Sequence, residues 1–165
     1  VLEKVPLYQL AKISVDMLQI HAKRHQVELY VYGSPCSVRG DKEMMEEVLY
    51  NLCDNGIRYN REGGRVTVTV EPAGDKVCLR VEDTGIGIPK EHQERVFERF
   101  YRVDKSRSKA TGGTGLGLAI VKHIAALHHG ELILESAEGE GTRITLWLDR
   151  FEEETVLAEN GRERR

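Results

Sequence analysis

The sequence predicts an α/β fold of two layers, a mixed sheet carrying helices on one face. Three observations lead there. Segments with apolar residues at helical spacing alternate along the chain with shorter runs that alternate apolar and polar residues. Two pairs of those runs are joined by short turns and read as hairpins. One long stretch, Val103–Gly115, is polar, basic and glycine-rich and has neither period, as a functional lid or an unstructured loop would.

The first helix is expected from Leu7 to about Lys23, on apolar positions Leu7, Leu10, Ile13, Met17, Leu18 and Ile20. Val27–Tyr32 follows as a strand, with Val27, Leu29 and Val31 against Glu28, Tyr30 and Tyr32. A turn through Gly33–Pro35 and a short stretch to Gly40 lead to the second helix. Asp41 is its expected N-cap, Met45, Val48, Leu49 and Leu52 its buried face, and Gly63-Gly64 its stop. Arg65–Val70 and Lys76–Glu82 form a hairpin around Pro72-Ala73-Gly74-Asp75. After the glycine-rich loop Asp83–Pro89, Pro89 suits the first turn of a short helix to about Phe97. Leu116–Leu127 reads as a helix with Leu116, Ile120, Ile124 and Leu127 on one face, stopped by His128, His129 and Gly130. Glu131–Glu135 and Arg143–Leu148 are the last strands, and Asp149–Arg165 is a charged, patternless tail. The expected division is a linker and first helix over 1–26, one compact domain over 27–149, and the tail over 150–165.

Composition narrows the function. The 165 residues hold 40% apolar and 31% charged residues, enough for one globular core. A formal net charge of -3 argues against nucleic acid as the main partner. Cys36, Cys53 and Cys78 have neither a disulfide nor a zinc spacing, which fits a reducing, cytoplasmic setting. No apolar run approaches the roughly 20 residues of a spanning helix, so the chain is expected to be soluble, with a longer parent still able to be membrane-anchored.

Three polar constellations carry chemistry. Asn51, Asn55 and Arg58 fall at i, i+4 and i+7, one stripe of the second helix. An amide oxygen there can ligate magnesium held by polyphosphate, and the arginine can neutralise phosphate; a solvated helix face is the alternative. Asp83-Thr84-Gly85-Ile86-Gly87-Ile88 ends a strand, where glycines admit a ligand close to the backbone and the carboxylate can accept from an exocyclic amine. A tight turn looks the same. Gly112-Gly113-Thr114-Gly115-Leu116-Gly117 opens a helix whose bare N–H groups suit an anion, though a flexible hinge is the bland alternative. It is not a P-loop, since no Lys-Ser/Thr pair follows.

Together these residues resemble the sensor histidine kinases. Asn51-Leu52-Cys53-Asp54-Asn55-Gly56-Ile57-Arg58-Tyr59 is similar to their N box and Asp83–Gly87 to their first glycine box. Phe97-Glu98-Arg99-Phe100-Tyr101-Arg102 is similar to the F box, and Gly113-Thr114-Gly115-Leu116-Gly117-Leu118 to the second glycine box. The likeness covers about Val27 to Leu148, with the four boxes in order. It implies a Bergerat-type ATP-binding fold with a flexible lid, and ATP and Mg2+ as cofactors. Asn55 would bind the metal with support from Asn51, and Arg58 would reach the phosphates. Tyr59 would sit by the adenine, Asp83 would read its amino group, and Gly85, Gly87 and Ile88 would shape the base pocket. Gly113, Thr114, Gly115, Leu116 and Gly117 would fold the lid over the phosphates, with Phe97 and Phe100 anchoring it. Arg102 would meet the γ-phosphate or dock the histidine domain.

Gyrase-like relatives carry a water-activating glutamate where this chain has Asn51, and an amide cannot accept a proton at neutral pH. The resemblance therefore favours phosphoryl transfer to a neutral imidazole over hydrolysis. Neither His21, before Ala22-Lys23-Arg24, nor His25, before Gln26-Val27, matches the family's acceptor pattern. The implied partners are a dimerisation and histidine-phosphotransfer domain of the same parent and a response regulator. The chain alone is expected to bind ATP, autophosphorylate poorly and be monomeric. An anti-sigma-type serine kinase and a non-catalytic, nucleotide-regulated interaction module are the competing readings.

Overall fold

The computed structural model describes residues 2–103 and 115–151. Its centre is a five-stranded mixed sheet in the order β2-β4-β5-β7-β6. The strands are β2 Glu28–Gly33, β4 Arg65–Ala73, β5 Lys76–Asp83, β6 Glu131–Ala137 and β7 Gly141–Asp149. Among the described strands only β2 and β4 run parallel, Leu29 opposite Val66 and Val31 opposite Val68. That pairing needs a crossover, and α2, Lys42–Arg58, provides it. The other pairs are antiparallel, among them the expected hairpin, whose turn is Gly74-Asp75 between Ala73 and Lys76.

Alternation decides which side of the sheet is covered. Val66, Val68 and Val70 of β4, Val77, Leu79 and Val81 of β5, and Ile144, Leu146 and Leu148 of β7 are all buried. They face one layer of helices, α1 Leu7–Arg24, α2, and α3 Gly117–Leu127. The opposite face carries Tyr30 and Tyr32, both exposed and stacked on each other. Asp41 caps α2 as expected, its carboxylate accepting from the Met44 N–H at 3.0 Å. Met45, Val48, Leu49 and Leu52 are buried beneath it.

Several expectations are corrected. In α1 the buried residues are Leu7, Leu10, Ala11, Val15, Leu18 and Ala22, whereas Ile13, Met17 and Ile20 are 50–76% exposed. Small residues let α1 lie close to its neighbours, so the seam follows Ala11, Val15 and Ala22 rather than the bulkiest side chains. In α3 the buried residues are Val121, Ile124 and Ala125, and Leu127 is exposed. α2 stops at Arg58 with Tyr59 as C-cap, before Gly63-Gly64. The helix expected to reach Phe97 is only the 3-10 turn Lys90–His92, preceded by Pro89. Two short strands, β1 Glu3–Val5 and β3 Val38–Gly40, form a separate antiparallel ribbon that the sequence did not announce. The lid residues 104–114, including Lys105, Arg107 and Lys109, and the tail from 152 lie outside the described residues.

Cys36, Cys53 and Cys78 are free thiols, and burial pushes Cys53 up to about 12, so it serves as a small apolar core residue. Among the described residues no helix is long and apolar enough to cross a membrane.

Candidate functional site

The site is arranged along α2. Near the helix end, Gly56 faces β4 and β5: a Cβ there would lie 3.5 Å from the Asp83 Cβ and 3.1 Å from Val66. One turn earlier, Asn51 meets the start of α3, and a Cβ on Gly117 would stand 3.2 Å from its Oδ1. The Asp83 loop and the first residue of α3 thus flank a single helix, with Asn55 between their points of approach. Asn51, Asn55 and Arg58 are all part-buried.

Asp83 closes β5. Its Oδ1 accepts from the Gly85 N–H at 2.8 Å, and a second backbone hydrogen bond comes from Thr142. Burial pushes its carboxyl up to about 6, against the smaller, opposing pull of those two bonds. The following loop is fastened on two sides. On the α2 side the Ile86 N–H donates to the Tyr59 carbonyl at 3.0 Å, and the Thr84 N–H to Arg65 at 3.1 Å. On the other side the Gly139 N–H donates to the Ile86 carbonyl at 2.7 Å, and the Ile88 N–H to the Ser136 hydroxyl at 2.9 Å. Glycine is required in the middle: Gly87 has φ 70° and a Cβ on it would stand 2.0 Å from the Ala137 carbonyl. A Cβ on Gly85 would stand 2.3 Å from the Tyr59 carbonyl.

Arg58 is already engaged. Its Nε donates to both carboxylate oxygens of Asp54, at 2.8 and 3.0 Å, and His21 of α1 meets Asp54 Oδ1 at 2.7 Å. His21 and His25 touch edge to face at 4.9 Å. Among the described residues no group of three or more His, Cys, Asp or Glu gathers to hold a metal.

The other side of the site is less assembled. Phe97 is half-buried and Phe100 is 64% exposed, so Phe100 is tied down through its backbone, its N–H donating to the Gly115 carbonyl. Leu116 precedes α3 and accepts from the Ile120 N–H at 3.0 Å. Arg102 lines an open groove with Arg95, Glu98, Arg99, Phe100 and Tyr101, a groove that no residue of α2 or of the Asp83 loop shares. Gly113 and Thr114 lie outside the described residues.

Two residues that hold the site together gave no sign of that role in the sequence. Arg61 reaches from the loop after α2 to the carbonyls of Gly85 and Gly139. His128, buried at the end of α3, donates through Nδ1 to Ile124 and accepts through Nε2 from the Asp41 N–H at 3.1 Å. It thereby joins the end of α3 to the start of α2.

Residues 40–152 match the family described as histidine kinase-, DNA gyrase B- and HSP90-like ATPase. The chain is 41% identical over 152 residues to the sensor-like histidine kinase SenX3 of Mycolicibacterium smegmatis, covering 91% of this chain and 39% of that protein. It is 46% identical over 157 residues to the sensor histidine kinase WalK of Bacillus subtilis, covering 92% of this chain and 25% of that protein. Among solved structures, a mycobacterial sensor histidine kinase, MprB, superposes with a TM-score of 0.78 at 30% identity, over 91% of this chain and 98% of that one. The chain therefore spans well under half the length of these two curated relatives. Fold, boxes and likeness agree: the chain belongs to the histidine kinase-, DNA gyrase B- and HSP90-like ATPases, as the ATP-binding catalytic domain of a sensor histidine kinase.

Proposed function

We propose that this domain binds ATP with magnesium and passes the γ-phosphoryl to a histidine on the dimerisation and phosphotransfer domain of its parent protein, which then serves a response regulator. The observation that carries the reading is the arrangement along α2, with Asp83 beside Gly56 and the start of α3 beside Asn51. From Asn51 to Tyr59 the helix rises roughly 12 Å, a span suited to an adenosine and its first phosphates.

Asp83 would accept the exocyclic amine of the base, with Tyr59, Gly85, Gly87 and Ile88 around it. The donor set on α2 fits magnesium bound chiefly by phosphate, because Asn55 and Asn51 offer neutral amide oxygens on one helix face. Asn55, with Asn51 beside it, would help hold the metal, whose charge would offset that of the phosphates. Arg58, whose Nε is held by Asp54, would add positive charge beside the phosphates. Gly115, Leu116 and Gly117, with Gly113 and Thr114 before them, would present backbone N–H groups to the phosphates at the start of α3. Phosphoryl transfer asks mainly for positioning and charge neutralisation, which these groups supply.

Calorimetry with ATP and ADP, with and without magnesium, tests this on the wild type, Asp83→Ala and Asn55→Ala. Binding lost in Asp83→Ala, and a magnesium dependence lost in Asn55→Ala, support it. Transfer is then checked by adding a phosphoacceptor domain and following acid-labile phosphate. A folded wild type that binds no nucleotide would overturn the reading.

A further inference from the structure

Arg61 stands just beyond α2, where the helix has given way to the loop that enters β4. Its backbone is fixed first. The Arg61 N–H donates to Asn60 Oδ1 at 2.9 Å, and the buried Asn60 amide donates to the Arg65 carbonyl at 3.0 Å. From there one guanidinium nitrogen, Nη2, donates to two carbonyls, Gly85 at 3.0 Å and Gly139 at 2.7 Å. Gly85 belongs to the Asp83 loop, and Gly139 to the turn between β6 and β7. Those two segments are also joined directly, by the Gly139 N–H on the Ile86 carbonyl. The side chain thus spans three chain segments.

Charge makes such bonds shorter and stronger than neutral ones, and arginine's planar head can hold two acceptors without losing geometry. Arg61 is exposed, so it adds little to global stability. Its effect is confined to where Gly85 and its neighbours stand. A recognition loop held in its binding conformation before the ligand arrives binds more tightly and discriminates better.

We propose that Arg61 is a positioning residue for base recognition, holding the Asp83–Ile88 loop against the β6–β7 turn so that the nucleotide base meets a preformed edge. The inference rests on the reading that this loop receives the base.

The test uses the whole domain as wild type, Arg61→Ala and Arg61→Lys. Mg-ATP and Mg-GTP affinities are measured by competition against a fluorescent nucleotide, alongside thermal unfolding and amide exchange. Arg61→Ala is expected to keep its Tm within a few degrees and to lose about tenfold in ATP affinity. Its preference for ATP over GTP should shrink, and exchange at Ile86 and Gly139 should quicken. Arg61→Lys, which can still serve one carbonyl, should recover part of both losses. An unchanged ATP affinity in folded Arg61→Ala would overturn the proposal. So would equal losses for ATP and GTP, which would make the residue a general support rather than a base-positioning one. Unfolding of both variants would do the same. A wild type that binds neither nucleotide would instead sink the nucleotide-site reading, and is distinguishable because it needs no variant.

Discussion

The backbone N–H of Phe100 donates to the carbonyl of Gly115 at 2.9 Å, and both residues hold positive φ, 63° and 79°. The pair ties the end of the Phe97–Phe100 stretch to the residue two before α3. A phenylalanine in the left-handed region carries strain, so its neighbours must hold it there.

Gly115→Ala attacks that closure. Its Cβ would stand 2.9 Å from the Phe100 Cα, at a φ that costs an L-residue about 1–2 kcal/mol. We expect ATP affinity to fall about tenfold, in proportion to that cost. Global unfolding should shift little, since Phe100 is exposed and neither residue belongs to the hydrophobic core. Calorimetry alongside a melting curve checks both.

Asp83→Asn should separate stability from binding. Burial raises the Asp83 carboxyl from 3.8 to about 6 in the folded chain, so the folded state binds that proton more tightly than the unfolded state does. The ionised group therefore destabilises the fold above pH 6, by about 3 kcal/mol, and the effect fades as pH falls from 6 towards 4. The substitution is expected to raise Tm at pH 7.5, to change it less at pH 4, and to weaken ATP binding at both. Melting curves across that range decide it.

ATP affinity itself should depend on the same proton. As pH drops through about 6, Asp83 gains a proton and becomes a poorer acceptor for the base amine. Affinity should decline by up to about tenfold per pH unit below that point. Nucleotide phosphates titrate nearby, so the signature is the difference between wild type and Asp83→Asn. An identical pH profile in the two proteins would count against Asp83 as the base reader.

His128→Ala should cost stability rather than chemistry. It strips the Asp41 N–H of its acceptor and leaves a gap between α3 and α2. The expected loss is about 2 kcal/mol, a fall of roughly 4–8 °C in Tm. A folded His128→Ala should still bind ATP when assayed well below its melting point.

How far the sequence carries the reader depends on what kind of bond builds each part. Asp41 was legible because capping depends on one side chain and the residues beside it. The hairpin and β7 were legible through their period of two. The seam of α1 was not, because apolar residues occur on more than one of its faces and only packing chooses Ala11 and Val15 over Ile13 and Met17. β1 and β3 are three residues each, too short to show alternation. Asp83 and the α2 stripe drew attention by residue type and spacing, and the fold sets both along one helix. Arg61 and His128 were not, since both act on backbone atoms far along the chain, and backbone acceptors leave no trace in residue identity.

The β1–β3 ribbon has a mechanical consequence. β1 pairs with β3, and β3 also meets the far end of β7 through the Val38–Arg150 bridge, while the Phe151 N–H donates to the Ser37 carbonyl at 2.9 Å. The Lys4 ammonium sits over the Phe151 ring. Tension applied between residues 3 and 151 is therefore borne at one small junction, as shear across short strands. It bypasses α2 and the loop after Asp83. A neighbouring domain pulling on these residues would swing the nucleotide-binding body as a whole and leave its interior undistorted.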